Sequence, residues 1–156
     1  MLPGLGAPSE DRHVAIEYGL QRLARGRDPF RVQLWLQRLE APSSGEVFCA
    51  LLAAARQGDV AGAEELWRRL RRVDLETLNL LLSACGKADG LRGAAWLRRC
   101  EERGLYDFES FQHVMSGFAV SGAYEQTEAY FQQMISKHIE ATTKEPLTFS
   151  SLFISL

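Results

Sequence analysis

The feature that most constrains this chain is an internal repeat, because a pattern that returns every 20–50 residues or so dictates an array of like units instead of one irregular core. Val47-Phe48-Cys49-Ala50-Leu51-Leu52 is followed by Thr77-Leu78-Asn79-Leu80-Leu81-Leu82, Ser110-Phe111-Gln112-His113-Val114-Met115 and Thr148-Phe149-Ser150-Ser151-Leu152-Phe153. Each block has an apolar anchor, then a small or polar residue, then an apolar pair. The anchors Phe48, Leu78, Phe111 and Phe149 are 30, 33 and 38 residues apart, so connections of different length are expected.

Each of the first three blocks runs into a turn, Gln57-Gly58-Asp59, Ala88-Asp89-Gly90 or Ser121-Gly122-Ala123, where glycine suits chain reversal and Asp59 can cap the helix that follows. Second helices follow. Ala63, Trp67 and Leu70, and likewise Thr127, Phe131 and Met134, are spaced by four and then three and share one helical face. The middle unit, Ala94-Ala95-Trp96-Leu97 with Cys100, keeps that composition with a less obvious register. Upstream, one helix near His13–Arg25 and a second from Pro29 to Leu39 form a further hairpin, Pro29 suiting a helix start. The expected fold is all-α, an α-solenoid of antiparallel helix-turn-helix units. Residues 1–8 read as a flexible N-terminal segment, 9–40 as a divergent hairpin, 46–74, 75–107 and 108–145 as three repeats, and 146–156 as the first helix of a truncated one.

A net charge of -2 and a pI near 5.9 lack the footprint of a general nucleic-acid binder, so any such binding must be local. Cys49, Cys85 and Cys100 are odd in number and lie within apolar helical patterns, which argues for a reducing compartment. His13, His113 and His138 share no ligand spacing with each other or with cysteine, and no metal is expected. No nucleophile, paired carboxylate or phosphate-binding glycine loop can be assembled, so neither enzyme activity nor a cofactor is expected. The longest apolar stretches, such as Val47 to Ala55, are too short to span a bilayer, and no membrane contact is expected. The first twenty residues carry no clear targeting peptide.

The blocks resemble the pentatricopeptide repeat family, whose unit opens with a Thr-Tyr-Asn-like tract followed by an apolar pair. Ser110-Phe111-Gln112 through Ser116-Gly117-Phe118-Ala119-Val120-Ser121-Gly122 to Tyr130-Phe131-Gln132-Gln133-Met134 carries the likeness best, with Thr77-Leu78-Asn79 through Ser83-Ala84-Cys85-Gly86-Lys87-Ala88 beside it. The resemblance covers about Glu46 to Leu156. It implies a right-handed superhelix with the first helices on the concave surface, single-stranded RNA as ligand, and a mitochondrial or plastid role in RNA processing, stability or translation. In that family one repeat contacts one base through the residue after the first-helix anchor and the residue before the next repeat. The implied pairs are Cys49 with Asp74, Asn79 with Asp107, and Gln112 with Glu145. Asn79 with Asp107 is a familiar combination that favours uracil; the other two depart from common ones. The resemblance further implies that Leu75 and Phe108 sandwich a base and that Lys87 approaches a phosphate.

Simpler roles stand beside these. Asp74 and Asp107 directly precede helices, where a carboxylate caps orphan N–H groups. Arg68-Arg69-Leu70-Arg71-Arg72 follows Glu64 and Glu65 at the spacing of intrahelical ion pairs, as on a solvated face. Trp35, Trp67 and Trp96 suit hairpin packing. The apolar end Leu152-Phe153-Ile154-Ser155-Leu156 lacks a hairpin partner and would suit a protein partner, so the alternative function is a helical-repeat scaffold in a larger complex.

Overall fold

The computed structural model describes residues 9–26, 29–39 and 41–137. They form eight helices and no strand: α1 (Ser9–Arg25), α2 (Pro29–Gln37), α3 (Ser44–Gln57), α4 (Val60–Arg69), α5 (Leu75–Ala88), α6 (Gly90–Glu101), α7 (Phe108–Val120) and α8 (Tyr124–Ser136). Expected elements that include His138, Glu145 and the block around Phe149 lie outside the described residues.

The helix boundaries follow from local chemistry. Before α3, Ser43 accepts a hydrogen bond from Glu46 N–H while the Glu46 carboxylate accepts one from Ser43 N–H. Asp74 with Thr77, and Asp107 with Ser110, make the same reciprocal box before α5 and α7. At the end of α3, Gly58 takes φ 71°, and its neighbour Asp59 caps α4 by accepting from Gly62 N–H at 3.0 Å. Gly122 likewise has φ 75° between α7 and α8. Gly90 serves a different purpose from the expected chain reversal. It is the first residue of α6, and a Cβ there would stand 2.6 Å from the backbone nitrogen of Phe118. Asp89, in extended backbone, makes that turn.

Consecutive helices pair as α1 with α2, α3 with α4, α5 with α6 and α7 with α8. The odd helices also pack on one another in chain order, and α2, α4 and α6 each touch the odd helix that follows. Their shared faces hold one core, including Leu20, Val32, Leu51, Leu78, Leu81, Leu97, Phe111 and Met134. Val47, Leu78 and Phe111 are the buried residues at matching depth in α3, α5 and α7. On the second helices Ala63 with Trp67, and Thr127 with Phe131 and Met134, are buried as their spacing predicts, whereas Leu70 follows the end of α4 in extended backbone and is only partly buried. The middle unit resolves to Gly93, Leu97 and Cys100, with Gly93 as the small residue. Trp96 stands beside that face: its ring meets Trp67 edge-on at 5.7 Å and its indole N–H donates to Glu64 at 2.9 Å. Glu64 is thereby drawn away from Arg68, and it is Glu65 that approaches both Arg68 and Arg69, at 3.7 Å each. Those exposed pairs contribute little.

A side chain from each odd helix also closes the end of the one before it. Arg56 of α3 donates to the carbonyl of Ala24 at 2.8 Å, and Lys87 of α5 donates to that of Ala55 at 2.6 Å. Ser116 of α7 donates to the carbonyl of Gly86 at 3.1 Å. Cations near a helix C-terminus satisfy orphan carbonyls and oppose the macrodipole.

Candidate functional site

The side chains of greatest interest gather where the N-terminal ends of α5 and α7 meet. Asp107, the N-cap of α7, lies beside Asn79 on the second turn of α5. Asn79 Nδ2 donates to Asp107 Oδ1 at 3.2 Å and lies 3.4 Å from Oδ2. Ser110 Oγ is 2.7 Å from Asn79 Oδ1, so amide, carboxylate and hydroxyl form a closed triangle across two hairpins. Asn79 is only 7% exposed. The carboxylate caps α7 through Ser110 N–H at 2.9 Å and also holds the Asn79 amide.

The capping boxes supply a register that the apolar pattern does not. Asn79 lies five residues after Asp74 and Gln112 five after Asp107; five after Ser43 is Phe48. This corrects the expected pair of Cys49 with Asp74, since Phe48 occupies the place of Asn79 and Cys49 falls one step further round the helix, 1% exposed. Phe48 aligns with Leu78 and Phe111 in the sequence by its apolar character, whereas Val47 is their buried counterpart. Around Phe48 the corner is open. A cavity of roughly 440 Å³ lies among Phe48, Leu70, Arg71, Arg72, Asp74 and Thr77, and Asp74 bonds there to its capping partner Thr77.

Gln112 is half-buried on α7, and its expected partner Glu145 lies outside the described residues. Leu75 and Phe108 are the first residues of α5 and α7, each partly buried against the core. Lys87 stands at the far end of α5 with its ammonium on the carbonyl of Ala55. Burial, and then the nearby Arg56 guanidinium, push its pKa below the usual lysine value.

One residue outside the expected set belongs to this surface. His113 follows Gln112 on α7, its Nε2 is 3.2 Å from Glu109, and its backbone carbonyl faces Gly86 closely enough that a Cβ on the glycine would stand at 2.8 Å. Burial lowers the imidazole pKa, with Glu109 opposing and Lys87 assisting the shift. Its position follows from the register of α7, on which the capping box and the apolar anchor Phe111 agree. Burial, and secondarily Glu64 and Asp89, push the Cys85 thiol up to about 12, so it behaves as a core residue.

No group of three His, Cys, Asp or Glu side chains able to hold a metal occurs among the described residues. Among them, too, no helix is long and apolar enough to cross a membrane. Comparison with protein-family models and with curated proteins finds no match for the chain.

Proposed function

We propose that this chain is an α-solenoid module of pentatricopeptide-like hairpins that binds single-stranded RNA, in organellar RNA processing, stability or translation. The observation that carries the reading is the direct hydrogen bond between Asn79 and Asp107, which fixes a primary amide at the junction of two successive hairpins. A fixed amide can offer a donor and an acceptor to one base edge, as sequence-selective single-strand recognition requires. Leu75 and Phe108 flank this junction as base-sandwiching candidates, and Lys87 is the phosphate candidate, since an ammonium that donates once to Ala55 keeps two further N–H groups. Gln112 with Glu145 is a second reading pair by resemblance alone, and Asp74 serves a neighbouring position opposite Phe48.

The test is fluorescence anisotropy of the whole chain with labelled single strands rich in uracil, titrated with salt, against a matched duplex and the variant Asn79→Ala. Single-strand binding that weakens with salt and loses its base preference in the variant supports the reading. No binding at low salt sinks it.

A second reading, a protein-interaction scaffold, is favoured by exposed Val14 and Tyr18 on α1 and Phe30 on α2, large apolar side chains that the described residues leave in solvent. That reading predicts no RNA binding. The apolar C-terminal edge proposed as a further protein contact lies outside the described residues.

A further inference from the structure

We infer that Ser110 is a positioning residue that sets which edge of Asn79 can read a base; the inference rests on the RNA reading above. Ser110 Oγ has three near neighbours: Asn79 Oδ1 at 2.7 Å, Asp107 Oδ1 at 2.9 Å and the Asp107 backbone nitrogen at 3.2 Å. The backbone N–H donates to the hydroxyl, and the hydroxyl has one proton to give. Asp107 Oδ1 already accepts from Ser110 N–H and from Asn79 Nδ2. Of the two oxygens in reach, Asn79 Oδ1 is the nearer and has no other donor in the triangle, so the hydroxyl proton points at Asn79 Oδ1. The amide is thus held at both ends, nitrogen to carboxylate and oxygen to hydroxyl. Turning it over would set its oxygen against the carboxylate and its nitrogen against Ser110, which loses the charge-assisted bond.

What remains for a ligand is one N–H and one lone pair of Asn79, in a fixed order, at a side chain that is almost wholly buried. A base approaching here meets a donor and an acceptor that cannot exchange places. Thr77 shows what the hydroxyl does without such a neighbour. In the same place on α5 it accepts from Asp74 N–H at 3.1 Å and turns its own O–H back on Asp74, because Phe48 offers no acceptor. Thr77 also shows that this box tolerates the extra methyl of threonine.

The experiment compares wild type, Ser110→Ala and Ser110→Thr by two readouts. The first needs no RNA: NMR of the Asn79 side-chain amide in the free protein. Wild type and Ser110→Thr should share shifted, slowly exchanging Nδ2 protons, while in Ser110→Ala they move toward free-amide values. The second is the ratio of affinities for uracil-rich and cytosine-rich single strands, which should fall about fivefold in Ser110→Ala, the worth of one hydrogen bond, and return in Ser110→Thr. Thermal melts verify that all three proteins are folded. If wild type discriminates and Ser110→Ala discriminates equally, or if the amide signals do not move, the role of Ser110 is overturned while RNA reading stands. If wild type binds no RNA, the RNA reading fails and takes this use of Ser110 with it, whatever the amide signals show.

Discussion

Between α3 and α5 the chain builds the same corner that it builds between α5 and α7, yet one corner holds a cavity and the other is closed by hydrogen bonds. Both have an aspartate cap and a hydroxyl three residues later. They differ at the facing position on the preceding helix, Phe48 in one and Asn79 in the other. The phenyl ring gives the carboxylate nothing to bind, whereas the amide ties two hairpins together. The backbones differ too. Toward the other end of α7, Gly117 lies so near Gly90 of α6 that a Cβ would stand 2.8 Å from its Cα; the matching position of α5 is Ala84, buried with its methyl in place.

The largest effect should come from breaking that difference in the backbone. Gly117→Ala gains helix propensity but forces a methyl onto α6, and the overlap should win, costing about 1–3 kcal/mol in urea denaturation. The converse change Ala84→Gly should cost only about 1 kcal/mol, since it removes one methyl and loosens a helix. Equal losses would show that α5 and α7 are equally close-packed at these matching positions.

An effect of similar size is expected from exchanging the facing residues. Asn79→Leu leaves Ser110 and Asp107 with an apolar neighbour and should destabilise by about 1–3 kcal/mol. Phe48→Asn places an amide opposite Asp74 and Thr77 and should cost less than Phe48→Ala, because new hydrogen bonds offset lost apolar burial. Equal losses for Phe48→Asn and Phe48→Ala in chemical denaturation would mean that the α3/α5 corner cannot form the triangle.

The corners also differ in titration, because His113 of α7 matches Leu80 of α5, each six residues past its cap. Burial lowers the His113 pKa below 6.5 in the folded protein, so the unfolded chain takes up its proton first. Its contribution to stability is complete above pH 6.5 and declines as pH falls toward the folded-state pKa. The slope should stay under the roughly 1.4 kcal/mol per pH unit that one whole proton would give. His113→Gln should remove that part of the pH dependence in melts between pH 7 and 5; a profile parallel to wild type would contradict it.

The helices and their pairing could be read from the sequence because their signals are local. Asp59 after Gly58, Asp74 before Thr77 and the four-then-three spacing at Thr127, Phe131 and Met134 act within a turn or two. The resemblance pairs Asn79 with Asp107 for base reading; what the structure shows is a hydrogen bond between the two side chains. What escaped depends on residues far apart. Phe48 imitates an apolar anchor, so its register appears only when the Ser43 cap is set beside Asp74 and Asp107. Gly90 resembles a turn glycine until Gly117 is seen against it. The bond from Lys87 to Ala55 joins residues 32 apart, with nothing in either neighbourhood to announce it.

That bond and its counterpart from Arg56 to Ala24 also bear on the order in which the molecule is made. Synthesis runs from the N-terminus, so α1 leaves the ribosome ahead of Arg56, and α3 ahead of Lys87. Each of these helix ends therefore emerges without the side-chain donor that the next hairpin brings, although the Ala55 carbonyl already accepts from Gly58 N–H at 3.3 Å. Growth of the chain becomes a succession of closures, each hairpin adding a bond to its predecessor, so a chain truncated before Lys87 should hold the end of α3 less firmly although every residue of α3, and its Gly58 cap, is already present.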